Sequence, residues 1–153
     1  MEEKDMSDHR ERILELMPYA EPFRFIDEIE SVNNEGIVGY YTFKEDSDFY
    51  MGHFPGFPLT PGVLLTECMA QIGMVALGIH LIGVENIDAP IRFAFTASDV
   101  KFSNMVMPGE RVKVVATKRL WRMNVLRCEV ELLKEDGTQA AKGKLAGYRL
   151  KDE

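Results

Sequence analysis

Residues 62–84 read GVLLTECMAQIGMVALGIHLIGV, a run of 23 residues with one formal charge, that of Glu67. As an α-helix this run would be about 35 Å long, enough to cross a bilayer. Either a membrane takes up its apolar surface or the rest of the chain must wrap it. Glu67, Gln71 and His80 interrupt it, and no Lys or Arg flanks it closely. The chain that follows alternates like a half-exposed sheet. A helix apolar on nearly all sides then fits the buried centre of a globular domain, so the expectation is a core helix and no membrane span.

The wrapping material is legible on both sides. Leu126, Cys128, Val130 and Leu132 alternate with Arg127, Glu129 and Glu131, the pattern of an antiparallel strand with one face buried. Residues 112–118 and 139–150 continue it, with Glu135-Asp136-Gly137 as the turn before the last strand. Upstream, residues 22–32 and 35–44 read as strands joined at Asn33-Asn34, with Ile37, Gly39, Tyr41 and Phe43 on one face. Residues 9–17 read as a short helix stopped by Pro18, and residues 1–8 as a flexible lead. Gly83 and Pro90 mark the end of the long helix. The expected class is α+β, one domain over residues 1–153, with a curved antiparallel sheet wrapped around a long central apolar helix.

A chain of 153 residues, 46% hydrophobic, can bury about 70% of its unfolded surface without a disulfide or metal staple. Cys68 and Cys128 lack CxxC or Cys/His spacing, which points to a reducing, cytoplasmic setting. The first fifteen residues alternate charges without an apolar core, so no signal peptide is expected there. The net charge of −7 is uneven: residues 101–127 carry +6, while every other stretch is acidic. An acidic chain is a poor non-specific nucleic-acid binder, because that binding neutralises phosphates with Lys and Arg.

Chemistry concentrates in residues 50–71, YMGHFPGFPLTPGVLLTECMAQ. Three prolines stiffen the loop that carries His53. Thr60 and Pro61 read as the cap and first residue of the long helix, whose unpaired amides near Gly62 attract negative charge. Glu67 and Gln71 lie four apart on one helix face. A carboxylate in so apolar a helix must be solvated, paired or protonated, so Glu67 is either a functional acid or a glutamate satisfied by Thr66, Gln71 or a partner subunit. Histidine, with an ordinary pKa of about 6.5, takes or gives a proton at neutral pH; His53 is either that base or a packing residue. Together the three features suit proton abstraction beside a carbonyl followed by loss of a hydroxyl. Cys68, His80 and the nine methionines read as core, and His9 as solvated. No GxSxG, HExxH, P-loop or GxGxxG is present.

The segment GHFPGFPLTPGVLLTECMAQ closely resembles the active-site segment of the hot-dog-fold (3R)-hydroxyacyl-[acyl-carrier-protein] dehydratases of the FabZ type. Met17-Pro18 followed by Pro22-Phe23-Arg24-Phe25-Ile26-Asp27, Val100-Lys101-Phe102, and Val106-Met107-Pro108-Gly109-Glu110 extend the likeness. The resemblance implies a hot-dog fold, with His53 as the catalytic histidine and Glu67 as the catalytic glutamate. The thioester would lie in an apolar tunnel against Gly56, Gly62, Val63 and Gln71. It implies no cofactor and no metal, a homodimer in which the histidine of one protomer meets the glutamate of the other, and often a trimer of dimers. Glutamate at 67, where related dehydratase/isomerases carry aspartate, favours simple dehydration. Tyr19, Thr60 and Cys68 depart from the residues the family usually carries there. An acyl thioesterase and a non-catalytic acyl-binding subunit are the competing readings on this fold.

If the substrate arrives on an acyl carrier protein, typically acidic, the whole-molecule charge opposes docking. The basic block then becomes the expected docking patch, with Lys101, Arg119 and Arg122 as its candidates.

Overall fold

The apolar run is one continuous helix, held against a six-stranded antiparallel sheet. The computed structural model describes residues 2–150. In chain order α1 (Glu3–Leu16) is followed by the hairpin β1 (Glu28–Asn33) and β2 (Gly36–Thr42), then by a short 3-10 turn, Asp48–Met51. α2 (Gly62–Ala70) passes through a π-helical stretch (Gln71–Ala76) into α3 (Leu77–Ile82). β3 (Phe93–Phe102), β4 (Arg111–Arg122), β5 (Val125–Lys134) and β6 (Gln139–Arg149) complete the chain.

Every strand pairing is antiparallel, in the order β1-β2-β4-β5-β6-β3. Alternation decides which face meets the helix. Ile37, Tyr41 and Phe43 from β2 and its end, Val112, Val114 and Ala116 from β4, and Leu126, Cys128, Val130 and Leu132 from β5 are all buried. They pack around Met69, Ile72, Met74 and Leu77 of the helix in one apolar cluster. The helix sits unusually close to the sheet at two glycines. A Cβ on Gly73 would stand 3.0 Å from both Ala116 Cβ and Val130 Cγ2, and one on Gly39 would stand 2.8 Å from Ile72 Cγ2. Any larger residue at either position pushes helix and sheet apart. The apolar run is thus long enough to cross a membrane, but most of its most apolar stretch is buried by the protein's own strands.

Several boundaries differ from the sequence expectation. Helix α1 begins at Glu3 rather than at residue 9, so residues 3–8 are helical and not a flexible lead; residue 1 lies outside the described residues. It is a solvated helix fastened by ion pairs such as Arg10–Glu3, with Ile13 as its buried residue, which is why its apolar period is faint. β1 begins at Glu28, because Phe23 O and both backbone groups of Phe25 bond to Gln71 and Cys68 of the central helix rather than to a strand. The first hairpin turns one residue later than expected, with Asn33 Oδ1 accepting from the amides of Glu35 (2.8 Å) and Gly36 (3.1 Å).

Not all methionines are core: Met51 and Met123 are 76% and 84% exposed. His9 and His80 are neither free nor simply packed. His9 Nε2 lies 2.8 Å from His80 Nδ1, and His80 Nε2 lies 3.0 Å from Asn34 Oδ1, joining α1, α3 and the first hairpin.

Candidate active site

The loop between the 3-10 turn and α2 presents His53. Phe54 and Phe57 exchange both backbone bonds (2.9 and 2.8 Å) around Pro55-Gly56, and Gly56 takes φ +78°. That is the turn position at which only glycine avoids a steric penalty. The imidazole of His53 stacks on Phe54, ring centroids 4.2 Å apart. Its Nδ1 lies 2.8 Å from the carbonyl oxygen of Leu59. A carbonyl only accepts, so Nδ1 carries the proton and the Nε2 lone pair is left for a substrate. Backbone orientation alone therefore puts His53 in the tautomer a general base needs.

Glu67 lies one turn into α2 and is half-buried. Its Oε2 accepts from Gln71 Nε2 at 2.9 Å. Burial pushes its pKa above the ordinary carboxylate value, and the Gln71 hydrogen bond draws it back only in part. With Oε2 occupied, a proton on this carboxyl sits on Oε1. Thr66, the other expected partner, instead donates to Gly62 O at 3.1 Å, inside its own helix.

Gln71 itself is 0% exposed. Its Oε1 accepts from Phe25 N at 2.7 Å, and its Nε2 donates to Phe23 O at 3.0 Å as well as to Glu67. Both donor hydrogens are committed and no surface is open, which corrects the expectation that Gln71 touches substrate. It is a positioning residue that ties the 23–25 segment to the acid.

Pro61, not Thr60, is the N-cap of α2, and no side chain caps it. Thr60 is buried, with its hydroxyl 2.6 Å from that of Tyr50, so it cannot reach the helix amides. Leu64 and Leu65 amides both turn back on Pro61 O (2.9 and 3.1 Å). The amides of Gly62 and Val63 stand at the open end, where a carbonyl oxygen gains from the helix dipole. Val63 is 76% exposed, and the Phe102 ring lies against Gly62, 3.3 Å from where a Cβ would stand.

Tyr19, one of the departures from the family pattern, is half-buried. Its hydroxyl pKa is raised first by burial and then by the charge of Glu67, which sets it within electrostatic reach of the acid. It also lines a cavity of about 430 Å³ with Met17, Pro18, Ile87 and Pro90. The two thiols are inert: Cys68 is fully buried and its pKa raised by that burial, and Cys128 is pushed up to about 12.

Among the described residues no hydrogen bond joins His53 to Glu67. Of the basic candidates, Arg119 is paired with Glu129, Lys101 faces Lys142 across β3 and β6, and Arg122 is exposed at the end of β4.

A sheet wrapped on one apolar helix, with a histidine loop at the helix start and a glutamate one turn in, defines an enzyme-like site on the hot-dog fold. Residues 17–144 match the model of the FabA-like domain, and the chain belongs to the FabA-like family. It is 34% identical over 140 residues to the 3-hydroxyacyl-[acyl-carrier-protein] dehydratase FabZ of Nitratidesulfovibrio vulgaris, covering 88% of this chain and 82% of that one. The enzyme of the same name from Clostridium perfringens is 31% identical over 126 residues, covering 82% and 78%. Among solved structures, the dehydratase heterocomplex ApeI:P from Xenorhabdus doucetiae shares the fold with a TM-score of 0.73 at 17% identity, over 92% of this chain and 91% of that one. A hypothetical thioesterase with coenzyme A from Streptococcus pneumoniae aligns with a TM-score of 0.58 at 10% identity, over 82% and 87%.

Proposed function

We propose that the protein dehydrates (3R)-3-hydroxyacyl thioesters carried on acyl carrier protein to trans-2-enoyl thioesters, in the cytoplasm. The observation that carries this reading is the complementary state of two groups in one segment. His53 is locked with a free Nε2, and Glu67 is held by Gln71 with its pKa raised by burial. Membership of the FabA-like family and the FabZ relatives support the same chemistry.

His53 Nε2 takes the C2 proton, and the thioester oxygen that gains charge is held at the Gly62 and Val63 amides, with the Gly56 turn beside them. As the C2–C3 double bond forms, the C3–O bond breaks and Glu67 Oε1 gives its proton to the departing hydroxyl, which leaves as water. A proton passing from His53 to Glu67 through solvent resets the pair. No step calls on a cofactor or metal.

The site is completed by a second copy of the chain. β3 is a sheet edge with one neighbour, and Phe95 and Phe102 on it are exposed, as are Phe54 and Phe57 of the histidine loop. A ten-residue edge with unpaired backbone groups and exposed aromatic rings calls for a partner. A homodimer joined along β3 brings His53 of one protomer to Glu67 of the other, and such dimers can group in threes. Lys101 and Arg122 guide the acidic carrier, with Arg119 sharing its charge with Glu129.

Incubation with 3-hydroxyacyl and saturated acyl thioesters tests the reading. Enoyl absorbance from the former supports it; release of free thiol from either without enoyl product overturns it in favour of a thioesterase. Charge reversal at Lys101 and Arg122 is expected to slow carrier-bound turnover more than turnover of a small thioester.

A further inference from the structure

The loop that carries His53 is exposed along its length: Met51, Gly52 and residues 54–58 all face solvent. Its two ends are not. Tyr50 is 5% exposed and Thr60 is 3% exposed, and their hydroxyls meet at 2.6 Å. A loop with so little packing of its own takes its shape from how its ends are fastened.

The fastening leads directly to the imidazole. His53 N donates to Phe49 O (3.0 Å), on the same 3-10 turn that carries Tyr50. His53 O accepts from Leu59 N (2.8 Å), and Leu59 O is the acceptor for His53 Nδ1 (2.8 Å). Leu59 is covalently next to Thr60, whose amide is anchored on Val106 O (3.0 Å). Phe49, Tyr50, His53, Leu59 and Thr60 thus form a closed ring of bonds. A shift of Thr60 moves the one carbonyl that fixes the tautomer of His53.

We propose that Tyr50 and Thr60 are a pair of positioning residues for His53, a hydroxyl clasp across the neck of the catalytic loop. The clasp acts through Leu59 O and touches no substrate. It deepens the dehydratase reading and rests on it for the activity arm of its test. Because both hydroxyls are buried, removing one leaves the other without a partner in an apolar setting, whereas a variant that keeps a hydroxyl keeps the clasp.

Thr60→Val removes the hydroxyl at nearly constant shape, and Tyr50→Phe does the same from the other side. Each is expected to lower kcat by about tenfold with KM within about twofold, the mark of a displaced base rather than lost binding. Thr60→Ser is expected to retain wild-type kcat. In ¹⁵N NMR the wild-type His53 should show a protonated Nδ1 and an unprotonated Nε2, and Thr60→Val should show mixed tautomers. Wild-type kcat in both hydroxyl-deleted variants, an equal fall in Thr60→Ser, or an unchanged His53 tautomer in Thr60→Val would overturn the proposal. If wild-type protein makes no enoyl product the dehydratase reading fails instead, and the NMR arm still decides the clasp.

Discussion

Gln71 Nε2 donates to Glu67 Oε2 at 2.9 Å from a side chain that is wholly buried, and the same amide spans Phe23 O and Phe25 N. The acid is therefore oriented by the backbone of a segment more than forty residues earlier in the chain. Gln71→Leu keeps the volume and removes all three bonds, stranding the buried amide of Phe25, while Phe23 O and Glu67 Oε2 are only part-buried. The expected cost is about 1–3 kcal/mol in denaturant unfolding, for the one fully buried group left without a partner. Turnover should fall as well, because Glu67 loses its guide. Unchanged stability would show that the 23–25 segment finds other partners.

The burial of Glu67 costs stability at neutral pH. Its folded pKa is raised, by burial first, above the ordinary value of 4.5. The folded state therefore holds the proton more tightly than the unfolded chain, and this contribution is full below the unfolded pKa and lost as pH rises through the folded one. Glu67→Gln, which cannot ionise, is expected to raise Tm at pH 7–8 and to leave it nearly unchanged at pH 4, while lowering turnover by about a hundredfold or more. Paired thermal melts across that range check the sign. A Tm gain that is equal at both ends would refute the burial argument.

Much of this architecture is written in local pattern. The alternation of Leu126 to Leu132 and the uncharged run after Gly62 each specify an element with the face it buries. The fourteen-residue spacing of His53 and Glu67, read with the motif around it, places His53 on a loop and Glu67 on a helix, as found. What escaped were bonds between residues far apart in the chain. Thr60 reads locally as a helix cap, yet its hydroxyl turns to Tyr50. Gln71 reads as a partner of Glu67, which it is, yet it also bonds residues 46 and 48 positions away. Such pairings leave no period in the sequence, because one hydrogen bond between distant elements imposes nothing on its neighbours.

His9 and His80 form another of these bonds, and it makes the fold sensitive to acid. Asn34 Oδ1 accepts from His80 Nε2, so His80 Nδ1 is bare and accepts from His9 Nε2. Burial first, then the neighbouring His9, lowers the His80 pKa below its ordinary 6.5, with Glu85 pulling the other way. The unfolded chain then binds the proton more readily, so this stability is present above pH 6.5 and lost as pH falls through the folded pKa. Tm is expected to drop between pH 7.5 and 5.5, and to drop less in His80→Gln, which keeps polar contacts and does not titrate. Equal drops in the two proteins would assign the acid sensitivity elsewhere.

The proposed dimer makes a prediction that no single-chain site shares. If His53 of one protomer serves Glu67 of the other, His53→Ala and Glu67→Gln chains are each inactive alone, yet a hybrid of the two holds one intact pair. Random reassociation puts about half of the dimers in hybrid form, each with one site of two. The mixture should therefore recover about a quarter of wild-type activity. Co-expression with two affinity tags isolates the hybrid and raises the expected value to about half. The exposed Phe102, beside Gly62 at the β3 edge, supplies the control: Phe102→Lys places a charge where the apolar edges meet and should shift sedimentation towards monomer and abolish the recovery. Failure of a well-formed hybrid to turn over substrate would place base and acid within one chain and dissolve the argument for a shared site.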